Sequence, residues 1–285
     1  MDDALARALI ELNNRFYAEH VASFSATRAT PWNGWQAVAE LVREHGRPVR
    51  TVLDLACGNL RFERFLAREL PESRRSIHAI DSCPALVCSS GGDPRELSSA
   101  TVDLTYHQAD ILTALLDASP LDAQAASAPR PRAHEVLPAT PACDLAVCFG
   151  FMHHVPGFEL RSQVLATLVD RTAPGGLIVL SLWQFMHDAR LAAKADIADA
   201  RAREHGLRLA DAAHPFPIAS DSLEPGDHFL GWQADPAPLR YCHHCNASEV
   251  DALVAFVGRR AREVARWAAD GSSGTLNQYI ALERL

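Results

Sequence analysis

The chain has 285 residues, of which 48% are hydrophobic and 22% charged, the balance of a soluble protein with a large core. A net charge of −8 argues against indiscriminate nucleic-acid binding, although a local basic patch would survive it. No apolar run approaches the roughly 18 residues of a membrane helix, the start Met1-Asp2-Asp3 has no basic leader, and seven irregularly spaced cysteines fit reduced thiols. A cytoplasmic protein without membrane contact is expected, either one α/β domain with an insertion or two small domains.

Residues 4–20 read as a helix marked by Leu5, Ile10, Leu12 and Phe16. After Phe24-Ser25-Ala26-Thr27-Arg28, the pair Thr30-Pro31 predicts a helix start, and Gly46 and Pro48 stop that helix after about Glu44. On residue type alone Trp32 and Trp35 are core aromatics and Arg28 a surface charge. An apolar run from Val49 to Leu55 then breaks into small residues and continues as a helix over 61–70, with Phe62, Phe65, Leu66 and Leu70 at helical spacing. Strand, tight turn and helix make the first half of a βαβ unit, and free N–H groups at the helix start favour a polar or anionic ligand. The dinucleotide pattern G-x-G-x-x-G is absent. Instead Asp54 ends the strand, and Ala56 and Gly58 follow at two-residue steps.

A second strand runs over 76–81. Its last residue, Asp81, follows Gly58 at close to the ~20 residues expected of a carboxylate that takes ribose hydroxyls; a strand-end cap is the alternative. A third strand covers 102–107 and leads into Gln108-Ala109-Asp110. Residues 118–142, with five prolines and many alanines, predict an extended surface connection. A buried fourth strand, 143–150, ends at Phe151-Met152-His153-His154-Val155-Pro156, where ligands of open α/β sheets sit. His153 or His154 could act as a general base, or one could pack against a ligand and the other cap the next helix. A helix over 159–170, the turn Ala173-Pro174-Gly175-Gly176 and an apolar fifth strand over 177–183 follow. The end of the chain reads as a helix over 247–256 and a hairpin of strands 262–269 and 276–282 turning at Gly271-Ser272-Ser273-Gly274.

These features together resemble class I S-adenosylmethionine-dependent methyltransferases, whose D-x-G-x-G-x-G loop has Asp54, Ala56, Gly58 and Leu60 in corresponding places. Ala56 and Leu60 depart from it, standing where glycines usually stand. The resemblance implies a Rossmann-like α/β fold: a seven-stranded, mostly parallel sheet with an antiparallel final strand inserted beside the fifth. It implies S-adenosyl-L-methionine as cofactor, held by Asp54, Ala56, Gly58, Asn59, Asp81, Ser82, Asp110, Ile111 and Phe149. Asp54 would meet the ammonium of the methionine tail, and Asp110 the adenine amino group unless it is only a helix cap. The implied organisation is an N-terminal helical lid (1–48), a core (49–183 and 247–285) and an inserted substrate cap (184–246).

A narrower resemblance lies in Phe16-Tyr17, Phe24-Ser25, Thr27-Arg28 and Pro31-Trp32, and in Arg240-Tyr241-x-His243. Both segments are similar to the tRNA methyltransferases that esterify carboxymethyl groups on wobble uridine. This implies that Thr27, Arg28 and Trp32 fold over the opening and that Arg28 and Arg240 face an anionic acceptor, a tRNA or a small molecule; a small activating partner protein is also implied. A carboxylate is already ionised near pH 7 and needs no base. An alcohol, phenol or amine would make His153, His154 or His243 the base candidate. The acidic balance and the proline-rich connection depart from that family, so a small-molecule carboxyl or hydroxyl methyltransferase and a non-catalytic cofactor-sensing module stay open. Cys242 and Cys245 form a C-x-x-C without a second ligand pair, so packed thiols rather than a metal site are expected.

Overall fold

The computed structural model describes residues 1–28, 30–71, 74–89, 97, 101–118, 137–209, 214–219, 221–233 and 235–285. Strand β1 (Thr51–Leu55) shows how its sheet is built. Leu53 and Leu55 point into one core with Ile80, Ala146, Cys148, Ile178 and Leu180. Val52 points into the other with Ile77, Ala79, Leu145, Val147 and Val179. A strand covered on both faces is largely apolar, as parallel strands are, and from Val52 to Leu55 only Asp54 interrupts the run.

Around β1 lie β2 (Arg75–Asp81), β3 (Val102–Gln108), β4 (Cys143–Cys148) and β5 (Thr172–Trp183), with β8 (Ala261–Ala269) and β9 (Asn277–Arg284) beyond, in the order β3-β2-β1-β4-β5-β9-β8. Strands β1 to β5 pair in parallel, and β9 runs antiparallel to both of its neighbours. This is the seven-stranded sheet the sequence implies. Helices α3 (Gly34–His45) and α4 (Arg61–Glu69) cover one face through Trp35, Val38, Phe62, Phe65 and Leu66. Helices α6 (Ile111–Ala118), α7 (Phe158–Arg171) and α9 (Ala247–Val257) cover the other through Leu115, Val164, Leu168 and Leu253.

A third core lies away from the sheet. Leu5, Leu9 and Leu12 of α1 (Asp3–Glu19) pack on Ala198 and Ala202 of α8 (Ala189–His205) and on Phe229 and Tyr241. The last two belong to the antiparallel pair β6 (Asp227–Trp232) and β7 (Asp235–His243). The N-terminal helix and the segment after β5 are thus packed on each other, which their distance in sequence concealed.

Two local readings are corrected. Helix α3 starts at Gly34 rather than at Thr30-Pro31, because Asp270, 236 positions away, accepts the Gly34 N–H at 3.0 Å and serves as the cap. The Pro174-Gly175-Gly176 turn lies inside β5 as an irregularity in its pairing with β4, with Gly175 at φ +72°. Of the proline-rich connection, residues 119–136 lie outside the described residues, while Leu137 is buried in the same core as Leu168. No helix among the described residues is long and apolar enough to cross a membrane.

Candidate functional site

Strand order reverses between β1's neighbours β2 and β4, and beyond such a switch point open α/β sheets bind ligands. A cleft of about 630 Å³ lies there. Its floor is the bend after β1. Ala56 (φ +65°), Gly58 (φ +56°) and Leu60 (φ +58°) are all left-handed, so the three loop positions keep a glycine-like backbone although only one is glycine. The Leu60 side chain is absorbed by the core, 1% exposed. The bend is tied to β2: Ala56 and Cys57 N–H groups donate to the Ile80 carbonyl at 2.8 and 3.1 Å, and Gly58 N–H donates to Asp81 Oδ2 at 2.9 Å. A Cβ on Gly58 would meet nothing within 4 Å, so the bend leaves open space beside its backbone.

The carboxylates gather at this end of the cleft. Asp54 and Asp81 line it and are buried, and Asp110 lines it half-buried. Burial pushes the Asp81 carboxyl up, partly offset by N–H donors from Cys83, Gly58 and Ser82. Burial, with Glu63 and Asp81 close by, raises Asp54 well above the usual carboxylate range, and its Oδ1 has no partner. Asp110 accepts from Thr113 N–H at 3.1 Å as the cap of α6, and also from Asn14 Nδ2 at 2.8 Å. The cap alternative is therefore realised. Asn59, Ser82, Ile111 and Phe149 also line the cleft, as does Trp32, which lies against Gly150.

The opposite end is cationic and aromatic. The Arg240 guanidinium lies 5.4, 5.3 and 5.3 Å from the ring centres of Phe16, Trp183 and Trp232. That of Arg28 lies 3.5 Å from the Phe24 ring and donates to Thr27 Oγ1 at 2.8 Å. Burial first, with Arg240 and Arg61 adding to it against the pull of Tyr17, lowers Arg28 to about 10. Neither Arg28 nor Arg240 has a carboxylate within 4 Å among the described residues, and Arg240 Nε is buried without a partner. Arg61 donates to the Thr30 carbonyl at 2.8 Å and lies over Trp32 and Trp35.

The three candidate histidines separate. His154 lines the cleft, but its Nδ1–H donates to the Tyr241 carbonyl at 2.9 Å and its Nε2 accepts from the Tyr17 hydroxyl at 2.6 Å. Burial, with Arg240 and Arg28 adding to it, lowers it to about 3, so it stays neutral and takes up no proton near pH 7. His153 lies against the Trp183 ring, is held neutral by burial first, and has an unpartnered Nδ1. His243 does not line the cleft. Its ring nitrogens bond Asp227 and Glu249, each at 2.7 Å. Burial lowers its pKa, but bonds led by Asp227 outweigh that and hold it up at about 11. A fully bonded imidazolium cannot accept a proton, so His243 is corrected from a base candidate to a structural cation. It joins Tyr241, whose hydroxyl donates to Asp227 at 2.6 Å, and Arg161, which pairs with Glu224 and Glu249 at 2.7 Å.

Cys242 and Cys245 do not form one site. Cys242 lies with His153 and His154, and Cys245 with His243 and Glu249.

No protein-family model and no curated protein matches the sequence. Solved structures do. A methyltransferase from Clostridium acetobutylicum aligns at TM-score 0.54 and 10% identity, over 95% of this chain and 98% of that one. The magnesium protoporphyrin IX methyltransferase of Synechocystis with bound S-adenosylhomocysteine aligns at 0.52 and 11%, over 88% and 81%. An amino pentose methyltransferase from Micromonospora echinaspora aligns at 0.51 and 16%, over 92% and 96%. The fold is that of the class I S-adenosylmethionine-dependent methyltransferases. Sequence reasoning passed over several residues that line this methyltransferase-fold cleft. Arg61, Trp183 and Trp232 gave no motif signal, and Tyr17 entered only as half of the Phe16-Tyr17 pair, with no role given to it. Glu63, beneath the bend, did give one: it shares the helical stripe of Leu66 and Leu70, where a carboxylate is out of place.

Proposed function

We propose that the chain is an S-adenosylmethionine-dependent methyltransferase that esterifies a carboxylate. The observation that carries this is one continuous cleft, at the switch point of a methyltransferase fold, joining an acidic end to an arginine end. The residues at the bend fit the cofactor: left-handed backbone at 56, 58 and 60, open space beside Gly58, and a partnerless Asp54 oxygen for an ammonium group. Asp81 would hold the ribose hydroxyls, Asp110 the adenine amino group, and Asn59, Ser82, Ile111 and Phe149 the remaining surface. When bound, the cofactor supplies an electrophilic methyl group on a sulfonium.

At the other end Arg28 and Arg240 orient the acceptor, since a planar guanidinium fork matches a carboxylate. Their aromatic neighbours keep water away, and alignment in a dry site supplies much of the rate. No proton has to be removed, in keeping with the neutral, engaged His154. The N-terminal helices would act as a lid and the segment over 184–246 as a cap.

The carrier of the carboxylate is read first as a carboxymethyl group on a tRNA wobble uridine. The two short segments that resemble that family supply Arg28 and Arg240, and Arg61, Arg190 and Lys194 add cationic groups to the cleft lining. The second reading is a small free acid, supported by Arg240, 7% exposed and deep among aromatic rings. The open connection between the two ends supports catalysis over cofactor sensing. Transfer of a labelled methyl group, with total RNA and with a panel of carboxylic acids, tests all three. Base-labile label on RNA supports the tRNA reading, and label on an acid the second. Label on neither, with the cofactor bound, leaves the sensor.

A further inference from the structure

The proposed cofactor site leaves Glu63 without a role. Glu63 sits on α4, 1% exposed, and neither of its carboxyl oxygens, taken as ionised acceptors, finds a hydrogen-bond partner. Asp54 is 2% exposed, and its Oδ1 is equally unpartnered. Asp54 on β1 and Glu63 on α4 act on each other as neighbouring charges and as side-chain hydrogen-bond partners, both among buried oxygens that meet no other side-chain donor. Two carboxylates cannot make that bond, because both are acceptors; one must carry a proton. Asp54 lines the cleft and Glu63 does not, so Glu63 reaches a ligand only through Asp54.

The surroundings do little to neutralise the pair. Asp81 faces it from the end of β2, the Cys57 thiol from the bend and the Cys148 thiol from β4. Arg64, the cation that acts on Glu63, donates through Nη1 to the Asn59 and Leu60 carbonyls at 2.7 and 3.2 Å. Burial is the largest influence on both acids and pushes both up; on Glu63 its own backbone N–H, the Asp54 carboxyl and Arg64 pull the other way without overcoming it.

We infer that Asp54 and Glu63 share a proton in the ligand-free protein and release it when the ammonium group of the cofactor settles against Asp54, so that Glu63 is a positioning residue and cofactor binding is a proton-releasing step. The O–H bond of the shared proton breaks, the proton passes to water, and the ammonium N–H donors replace it; no electrons are exchanged. By linkage, binding tightens as pH rises, at most about tenfold per pH unit for each proton released. The inference rests on the proposed cofactor.

Calorimetric titration with S-adenosylhomocysteine, which carries the same ammonium group and undergoes no turnover, tests it. The protein and its Glu63→Gln variant are titrated at pH 6 and 7 in buffers of different ionisation heat. The natural protein is expected to release on the order of one proton per ligand and to bind several-fold tighter at pH 7 than at pH 6. In Glu63→Gln the amide donates to an ionised Asp54. That variant is expected to release no proton and to bind tighter than the natural protein at pH 6, which a merely structural role would not produce. Buffer-independent heat in the natural protein overturns the shared proton and leaves the cofactor reading standing. Unchanged proton release in a folded Glu63→Gln also overturns it. No binding of this compound or of S-adenosylmethionine to folded protein overturns both readings. If Glu63→Gln folds poorly, the buffer dependence of the natural protein decides alone.

Discussion

Two groups of buried and half-buried polar side chains in this molecule differ in one respect. In the first, Arg161, Glu224, Asp227, Tyr241, His243 and Glu249 bond one another at 2.6 to 2.8 Å, joining α7, the β6–β7 pair and α9. In the second, Asp54, Glu63, His153 and Arg240 each keep at least one buried polar atom without a partner. Burying a polar atom unpaired costs about 1–3 kcal/mol, and more for a charge. The first group is complete and holds structure. The second is incomplete, and three of its four members line the cleft. Between these two groups, missing partners go with the cleft and a closed network goes with structure; elsewhere Asp81 and His154 line the cleft with partners, and Ser162 Oγ lies unpartnered outside it.

The largest test is in the complete group. His243→Gln leaves Asp227 and Glu249 facing each other without their cation and is expected to lower folding stability by about 3–5 kcal/mol, read by chemical denaturation. The pH dependence has a definite sign. The folded pKa of His243, about 11, lies above its unfolded value of about 6.5, so its stabilisation is complete below 6.5 and is lost as pH rises towards 11. The stability gap between the natural protein and His243→Gln is expected to narrow over that window. A gap that widened there would contradict the assignment.

In the incomplete group the effects fall on binding instead. Asp54→Asn is expected to weaken cofactor binding about 10- to 100-fold, from the loss of a charge-assisted hydrogen bond, without lowering the melting temperature. Arg240→Met is expected to reduce kcat/KM for the acid acceptor by a similar ~10- to 100-fold, again with stability kept, because the buried charge removed is paired with no carboxylate among the described residues. A large stability loss in either variant would erase the distinction between the two groups. The smallest effect belongs to Ala56→Gly. A glycine relieves the left-handed strain but loosens the unfolded chain, and a net gain below about 1 kcal/mol is expected.

How legible each part was depends on the range of its interactions. The sheet was readable because each parallel strand is a short local β-type run between turn residues, apolar in β4 and β5 and alternating in β3, and because the hairpin at Gly271-Ser272-Ser273-Gly274 signals itself. The start of α3 was misread because its cap, Asp270, comes from the far end of the chain. His243 was misjudged for a related reason. Its type and its nearness to Arg240 suggested chemistry, while Asp227 reaches it only through the pairing of β6 with β7. Asp54 and Gly58 were visible in the loop pattern, yet the pattern hid that Ala56 and Leu60 keep the same backbone. The aromatic surround of Arg240 was invisible, since Phe16, Trp183 and Trp232 come from three distant segments.

The most direct measurement is a crystal structure with S-adenosylhomocysteine bound. The account expects the amino-acid tail of the compound against Asp54 and its ribose within hydrogen-bond distance of Asp81, above the bend at 56–60. A compound seated elsewhere, or a bend occupied by the protein's own side chains in the presence of saturating ligand, would contradict it.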